Sequence, residues 1–102
     1  MSEPAQVIDD QDASRFEVVL DGAVAELTYR RRADRLILVH TGVPDAMGGR
    51  GIGGRLVRAA VERAGKERLT LVPLCPFARD WLEHHPDVAD TVNVDWGAPP
   101  ED

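Results

Sequence analysis

The sequence predicts an α+β fold on a mixed sheet: an antiparallel meander, then a crossover helix, then a strand returning parallel. Three observations carry this reading. Asp21-Gly22 separates two apolar-rich runs, 16–20 and 23–29, and Asp-Gly between such runs is the strongest short-range hairpin signal. Leu56, Val57, Ala60, Val61 and Ala64 recur with Ile52 at helical spacing, while Arg55, Arg58, Glu62, Arg63 and Lys66 take the opposite face. Residues 69–74, with TLVPL at their core, form a continuous apolar run of the kind found in strands buried on both faces.

Taken in chain order, residues 1–13 are polar and acidic, with only Val7 and Ile8 available for a short strand. They are expected to be a flexible segment, with order starting near Arg15. The hairpin strands follow. A turn at Ala33-Asp34 leads to a strand over 35–41, which Val43-Pro44 ends. The helix is expected over 51–64, with Gly65 as its stop. The right-handed connection rule then lays 69–74 parallel beside 35–41. Pro76 suits the first turn of a second helix whose apolar stripe is Phe77, Ala78, Trp81 and Leu82, ending near Pro86. A short helical segment is expected around 87–92, and GAPPED at 97–102 reads as a flexible tail. The reading is one domain over 14–96.

A chain of 102 residues has room for one core and one ligand-sized cleft. Hydrophobic content of 43% and charged content of 29% are those of an ordinary soluble protein. The run LILV at 36–39 is too short for a bilayer, and MSEPAQVIDD lacks a signal pattern. A lone Cys75 makes no internal disulfide and fits a reducing compartment. The expectation is a cytoplasmic protein without a membrane partner.

The net charge of −6 hides an asymmetry, because residues 30–68 hold ten Lys/Arg against four Asp/Glu. Arg30, Arg31, Arg32, Arg35, Arg50, Arg55 and Arg58 could raise the potential for a small polyphosphate, or could be a solvated face. The acidic remainder would repel a nucleic-acid backbone, so that partner is not expected.

The glycines of MGGRGIGGRLV sit at the start of the first helix. Helix starts have unpaired N–H groups and a positive dipole end, so an anion cradle and plain turn chemistry both remain open. Gly49, Gly51 and Gly54 satisfy GxGxxG literally. A dinucleotide fold, however, needs a strand directly before the loop and an acid about twenty residues on, and neither condition holds. A phosphate loop must end Gly-Lys-Ser/Thr, whereas this one ends Gly-Gly-Arg.

The run VPDAMGGRGIGGRLVRAAVE, preceded by LILVHT, resembles the acyl-CoA pyrophosphate loop of the GNAT superfamily of N-acetyltransferases, with its signature Gln/Arg-x-x-Gly-x-Gly/Ala. Gly51 and Gly53 match the two glycines, while Gly48 departs from the first position. RFEVVLDGAVAELTYR, HTGVP and PLCPFARDWLEHHPDVAD are similar to the compact YjdJ-type branch, over most of residues 15–92. The resemblance implies an acyl-CoA N-acyltransferase fold with acetyl-CoA, or coenzyme A, lying between the parallel strands of a splayed sheet. The pyrophosphate would sit on the backbone N–H groups of residues 50–54. The implied binding residues are Gly48 and Gly49, then Arg50, Gly51, Ile52, Gly53, Gly54 and Arg55, flanked by Val43 and Pro76. Valine at Gly51 or Gly53 is accordingly expected to block the pyrophosphate while leaving the fold largely intact.

Acetyl transfer needs a neutral amine, a polarised carbonyl and a proton for the departing thiolate. A lysine amine near its ordinary pKa is only about 0.1% neutral at pH 7.4, a deficit of roughly 4 kcal/mol that a base or a desolvating pocket must offset. His40 is the best placed base, and Glu26, His84 and His85 are others. For His40 a packed or surface histidine is an equal reading. Cys75 precedes the helix that begins at Pro76, and helix starts favour anionic groups, thiolates among them. The resemblance places it beside the sulfur of coenzyme A. It could carry the acetyl group, donate a proton or fill space. The tyrosine that larger relatives use on this helix is absent, with Phe77 and Trp81 nearby instead. The helices usually found after the first strand are absent too. The reading is an acetyl-CoA-dependent N-acetyltransferase with an amine acceptor, either a small molecule or a protein lysine or N-terminus. Alternatives are a non-catalytic acyl-CoA-binding or interaction module, and a hydrolase pairing Cys75 with His40.

Overall fold

The computed structural model describes residues 6–49 and 51–97. Their elements run β1 (Ile8–Asp10), β2 (Arg15–Leu20), β3 (Ala23–Arg32), β4 (Arg35–Gly42), a 3-10 turn at Asp45–Met47, α1 (Ile52–Glu67), β5 (Thr70–Pro73), α2 (Pro76–Glu83) and α3 (Pro86–Ala89). The strands lie in sequence order in one sheet. The first three pairings are antiparallel, and β4 to β5 is parallel. This is the predicted meander, crossover and return.

Period-2 alternation points Phe16, Val18, Ala25, Leu27, Tyr29, Leu36 and Leu38 to one side of the sheet, all at most 4% exposed. The 3.6-residue period of α1 supplies Leu56, Val57, Ala60 and Ala64 against them, each fully buried. Burying such a leucine stabilises by about 2–3 kcal/mol. Ala78 and Leu82 of α2 add to the same core.

Several elements differ from expectation. The sheet begins upstream of Arg15, since β1 pairs Ile8 with Glu17 and Asp10 with Arg15. Ordered structure thus enters the segment read as flexible, near the short strand suspected at Val7 and Ile8. Polar contacts explain how so acidic a strand docks. Tyr29 donates a hydrogen bond to Asp9 Oδ1 at 2.6 Å, and Arg63 of α1 reaches both Asp9 (3.2 Å) and the Tyr29 oxygen (2.7 Å).

Gly65 does not stop α1. It lies inside the helix, where a Cβ would sit 3.3 Å from a methyl of Val92. Arg68 takes the left-handed position at φ +59°. Leu69 N–H then donates to Ala64 O at 2.8 Å, closing a Schellman-type end. Arg68→Gly is expected to stabilise by about 1 kcal/mol in urea denaturation, because glycine adopts this conformation without a Cβ penalty.

Strand β5 is not buried on both faces, since Leu71 and Pro73 are buried while Thr70 and Val72 are partly exposed. The last short helix falls at Pro86–Ala89 rather than around 87–92. Beyond it the chain returns to the sheet, where Leu71 N–H donates to Asn93 O and Asp95 N–H to Leu71 O, both at 2.8 Å. An ion pair between Arg35 and Asp95 fastens this return. The Gly97 N–H, followed by that arginine, holds the Asp95 carboxyl below its ordinary range. Gly97 is thus the described part of the expected tail, and residues 98–102 lie outside the described residues.

Candidate functional site

A β-bulge and a parted pair of strands shape one end of the sheet. Thr28 stands opposite His40 and Tyr29 opposite Leu38, so Val39 has no partner residue in β3, and β4 carries one extra residue. The bulge resets the alternation. Thr41, opposite the buried Leu27, faces the helices, while His40 and Gly42 face the outer side beside Thr28 and Glu26. At the same level β5 leaves β4. Leu38 O accepts both Leu74 N–H (3.1 Å) and Cys75 N–H (2.9 Å), and β4 continues to Gly42 without its parallel neighbour.

Cys75 caps α2, with its backbone still extended and its side chain 2% exposed. Its Sγ lies 3.1 Å from Thr41 Oγ1, in a contact where either atom can donate. Thr41 therefore joins Cys75 across the parting strands, a partner that no motif in the sequence signals. His40 is exposed on the other face. The suspected Cys75–His40 dyad is not assembled, because the residue that touches the thiol is Thr41 and its neighbour points away.

Beyond β4 the chain makes the 3-10 turn, closed by Gly48 N–H to Asp45 O at 3.0 Å. A Cβ at Gly48 would crowd that same oxygen at 3.2 Å, so glycine suits the turn itself. Gly49 and Gly51 have φ of +76° and +69°, with nothing within 4 Å of a Cβ at either. Their glycine character comes from backbone conformation, and the space beside them is open. Gly51 caps α1, whose first bond is Arg55 N–H to Gly51 O at 3.1 Å. The N–H groups of Ile52, Gly53 and Gly54 have no carbonyl to bond within the helix.

Gly53 and Gly54 are glycine for a different reason. A Cβ on Gly53 would lie 2.7 Å from the Phe77 ring, and one on Gly54 would lie 2.5 Å from Trp81 Nε1. The aromatic residues of α2 rest on the bare first turn of α1. Valine at Gly53 therefore strikes protein atoms first, which corrects the expectation that such a variant would leave the fold largely intact. Trp81 is braced in turn by the stacked His85 ring, 3.8 Å between centroids, and by the Arg58 guanidinium at 5.3 Å. Just past the end of α2 the His84 imidazole has its pKa raised above the ordinary value, first by the Asp80 carbonyl and then by the Asp80 carboxylate.

These elements enclose a cavity of about 430 Å³. Of the predicted binding residues, Val43, Gly48, Gly49, Gly51, Ile52, Gly53 and Gly54 line it. Arg55 is on the next part of the α1 turn and Pro76 opens α2, and neither is among its lining residues. Arg50 lies outside the described residues. The sequence reading missed Phe77 and Trp81 as walls of this space, although their spacing of four on one helix face was visible. They line the cavity together with Pro44, Asp45 and Met47.

The arginines do not converge as their crowding in sequence suggested. Arg30, Arg31 and Arg32 flank the β3–β4 turn with Arg35, and β4 separates that turn from the glycine loop by roughly 23 Å. Arg31 pairs there with Glu67 and Arg35 with Asp95. Arg55 and Arg58 remain at the loop end. Among the described residues, no helix is long and apolar enough to cross a membrane.

A sequence model of GCN5-related N-acetyl-transferases matches residues 15–91. The chain belongs to this family. Like other members of this family it is similar to Protein NATD1 of Gallus gallus, 35% identical over 86 residues that cover 81% of this chain and 78% of that protein. The Mus musculus NATD1 is 34% identical over the same shares. A GCN5-like protein of Staphylococcus aureus, solved by NMR, superposes with a TM-score of 0.69 at 28% identity, covering 98% of this chain and all of that one. The fold is that of the GCN5-related family, whose general chemistry is acetyl transfer.

Proposed function

We propose that this chain is a small cytoplasmic N-acetyltransferase that takes its acetyl group from acetyl-CoA and passes it to an amine. The observation that carries the reading is the cavity of about 430 Å³, where the glycine loop and the first turn of α1 meet Phe77 and Trp81. Its residues fit coenzyme A. The N–H groups of Ile52, Gly53 and Gly54 and the positive end of α1 suit a pyrophosphate, which the open space at Gly49 and Gly51 admits. Arg55, in the first turn of α1, adds positive charge there. Val43, Met47 and Phe77 would suit an uncharged pantetheine arm.

When bound, acetyl-CoA supplies an electrophilic thioester carbon and a thiolate leaving group. The chain holds the protons. Cys75, with Thr41 at 3.1 Å, stands at the gap as donor to the departing sulfur or as transient acyl carrier. His40, on the outer face, receives the amine's proton. The peptide groups around Val39, opposite no residue of β3, would be backbone candidates for polarising the carbonyl. A second reading, an acyl-CoA-binding module without turnover, is favoured by the 2% exposure of Cys75, which suits packing.

Thermal melts with acetyl-CoA, coenzyme A, NAD and ATP test the donor. The first two are expected to raise the melting temperature with concentration, and a shift with NAD or ATP alone overturns the reading. Cys75→Ala separates the chemistries. An acetyl adduct on Cys75 in the parent protein, with turnover lost in the variant, marks an acyl carrier. Slowed turnover without an adduct marks a proton donor. An unchanged rate with about 1 kcal/mol less stability marks packing.

A further inference from the structure

The buried side chains of β2, β3 and β4 all face the helices, and among the described residues no helix covers the opposite side of the sheet. Ile8, Val19, Val24, Val39 and Leu74 are exposed on that side, Leu74 at 66%. Apolar residues scattered singly are ordinary on a monomer, but a face that gathers them marks an interaction surface. The central strand shows what fits it. Glu26, Thr28 and Arg30 of β3 point outward, because Ala25, Leu27 and Tyr29 between them are buried. Glu26 and Arg30 thus lie about 7 Å to either side of Thr28. Arg15 holds Glu26 Oε1 at 3.1 Å. Among the described residues, Oε2 and the Arg30 guanidinium have no ion-pair partner.

We propose that this face binds a second copy of the chain, sheet against sheet, in a two-fold dimer. A two-fold axis running across the strands at Thr28 lays each β3 antiparallel over its copy and sets each Glu26 against the other copy's Arg30. A face can be complementary to itself only when acid and base stand equally about such an axis, as they do here. The apolar residues flank the charged strand toward both edges, Ile8 and Val19 on one side, Val39 and Leu74 on the other. Five strands about 4.8 Å apart, each about six residues long, offer roughly 500 Å² per copy, short of the ~800 Å² of a standard interface. The dimer is therefore weak and reversible. His40 lies on the same face, so pairing closes the approach to it. On the acetyl-transfer reading above, the monomer is then the working form, and turnover per chain falls as the protein is concentrated.

Sedimentation from about 10 μM to about 1 mM covers the range in which so small an interface associates. The mass of the parent is expected to rise from 11.2 kDa toward twice that. Arg30→Glu and Glu26→Arg should each associate at least tenfold more weakly, because every pair about the axis then joins like charges, and both should melt within a few degrees of the parent. Mixed in equal amounts, the two variants should dimerise again. The two replaced side chains then face each other, as do the two unreplaced ones, and each pair is opposite in charge. Variants that associate as the parent does, or a mixture that stays monomeric, overturn the proposal. So does a parent that stays at 11.2 kDa, and binding of that monomer to phosphatidylcholine vesicles assigns the face to a lipid surface instead. Should Glu26→Arg not fold, Leu74→Glu decides, and undiminished association in it overturns the dimer. No arm uses acetyl-CoA, so failure here and failure of the acetyl-transfer reading are distinguishable.

Discussion

Gly54→Val is expected to cost about 1–3 kcal/mol of stability and to distort the cavity wall, whereas Gly51→Val is expected to cost a similar amount for an unrelated reason. At Gly54 the new Cβ falls 2.5 Å from Trp81 Nε1, so the indole must leave its stack with His85 and Arg58. Overpacking of this kind costs about 1–3 kcal/mol, and the gain from replacing a helical glycine, a few tenths for valine, offsets little of it. At Gly51 no atom lies within 4 Å, and the cost is the φ of +69° imposed on a β-branched residue. A double-mutant cycle in urea separates the two. In a Trp81→Ala background the Gly54→Val penalty should largely vanish while that of Gly51→Val persists. Equal penalties in both backgrounds would show that Trp81 is not what Gly54 accommodates. For ligand studies Gly51→Ala is the cleaner probe, since its methyl enters open space and its strain is about 1 kcal/mol.

Arg63→Ala is expected to lose about 2–3 kcal/mol. Its side chain is 9% exposed and bonds Tyr29, Asp9 and Glu67 together. Removing one member of a buried pair costs about 3–5 kcal/mol, less here because Asp9 is a quarter exposed and can rehydrate. The same cluster sets an alkaline limit. Burial, and after it the hydrogen bond to the Asp9 carboxylate, pushes the Tyr29 hydroxyl up to about 12. Its ordinary value is near 10, so between these values the unfolded chain has lost a proton that the folded chain still holds. The contribution is therefore complete below pH 10 and lost as pH rises toward 12, by at most roughly 2–3 kcal/mol. Tyr29 is the only tyrosine, so its ultraviolet ionisation is read without interference. Tyr29→Phe should flatten the alkaline decline in denaturant midpoints, and an unchanged decline would assign it to other groups.

The meander, crossover and return were legible because each rests on a local signal: Asp21-Gly22, the helical period from Ile52 to Ala64, and the apolar run before Cys75. Gly65 misled because glycine's preference for helix ends is a tendency, and here the packing of Val92 against the helix outweighed it. The glycine loop was legible as a candidate cradle, yet its glycines do unlike things. Gly49 and Gly51 supply conformation, Gly53 and Gly54 supply clearance, and only the folded structure separates these roles. The bulge at Val39 leaves no mark in LILVHT, so the sequence could not show that His40 and Thr41 would be reassigned to opposite faces. Charge counted along the chain gathered Arg30 and Arg58 into one patch. A strand that reverses direction between them sends them to opposite ends.

The margins of the sheet have a consequence for how this chain behaves in a crowd. On one side the outermost strand is three residues long and two of them are aspartates. On the other, the returning segment 93–95 occupies Leu71 and is pinned by Arg35. Short, charged or covered borders deny an incoming chain a ladder on which to add a strand. Variants destabilised at Gly54 or Arg63 are therefore expected to lose native structure without growing into β-stacked aggregates while the sheet itself persists.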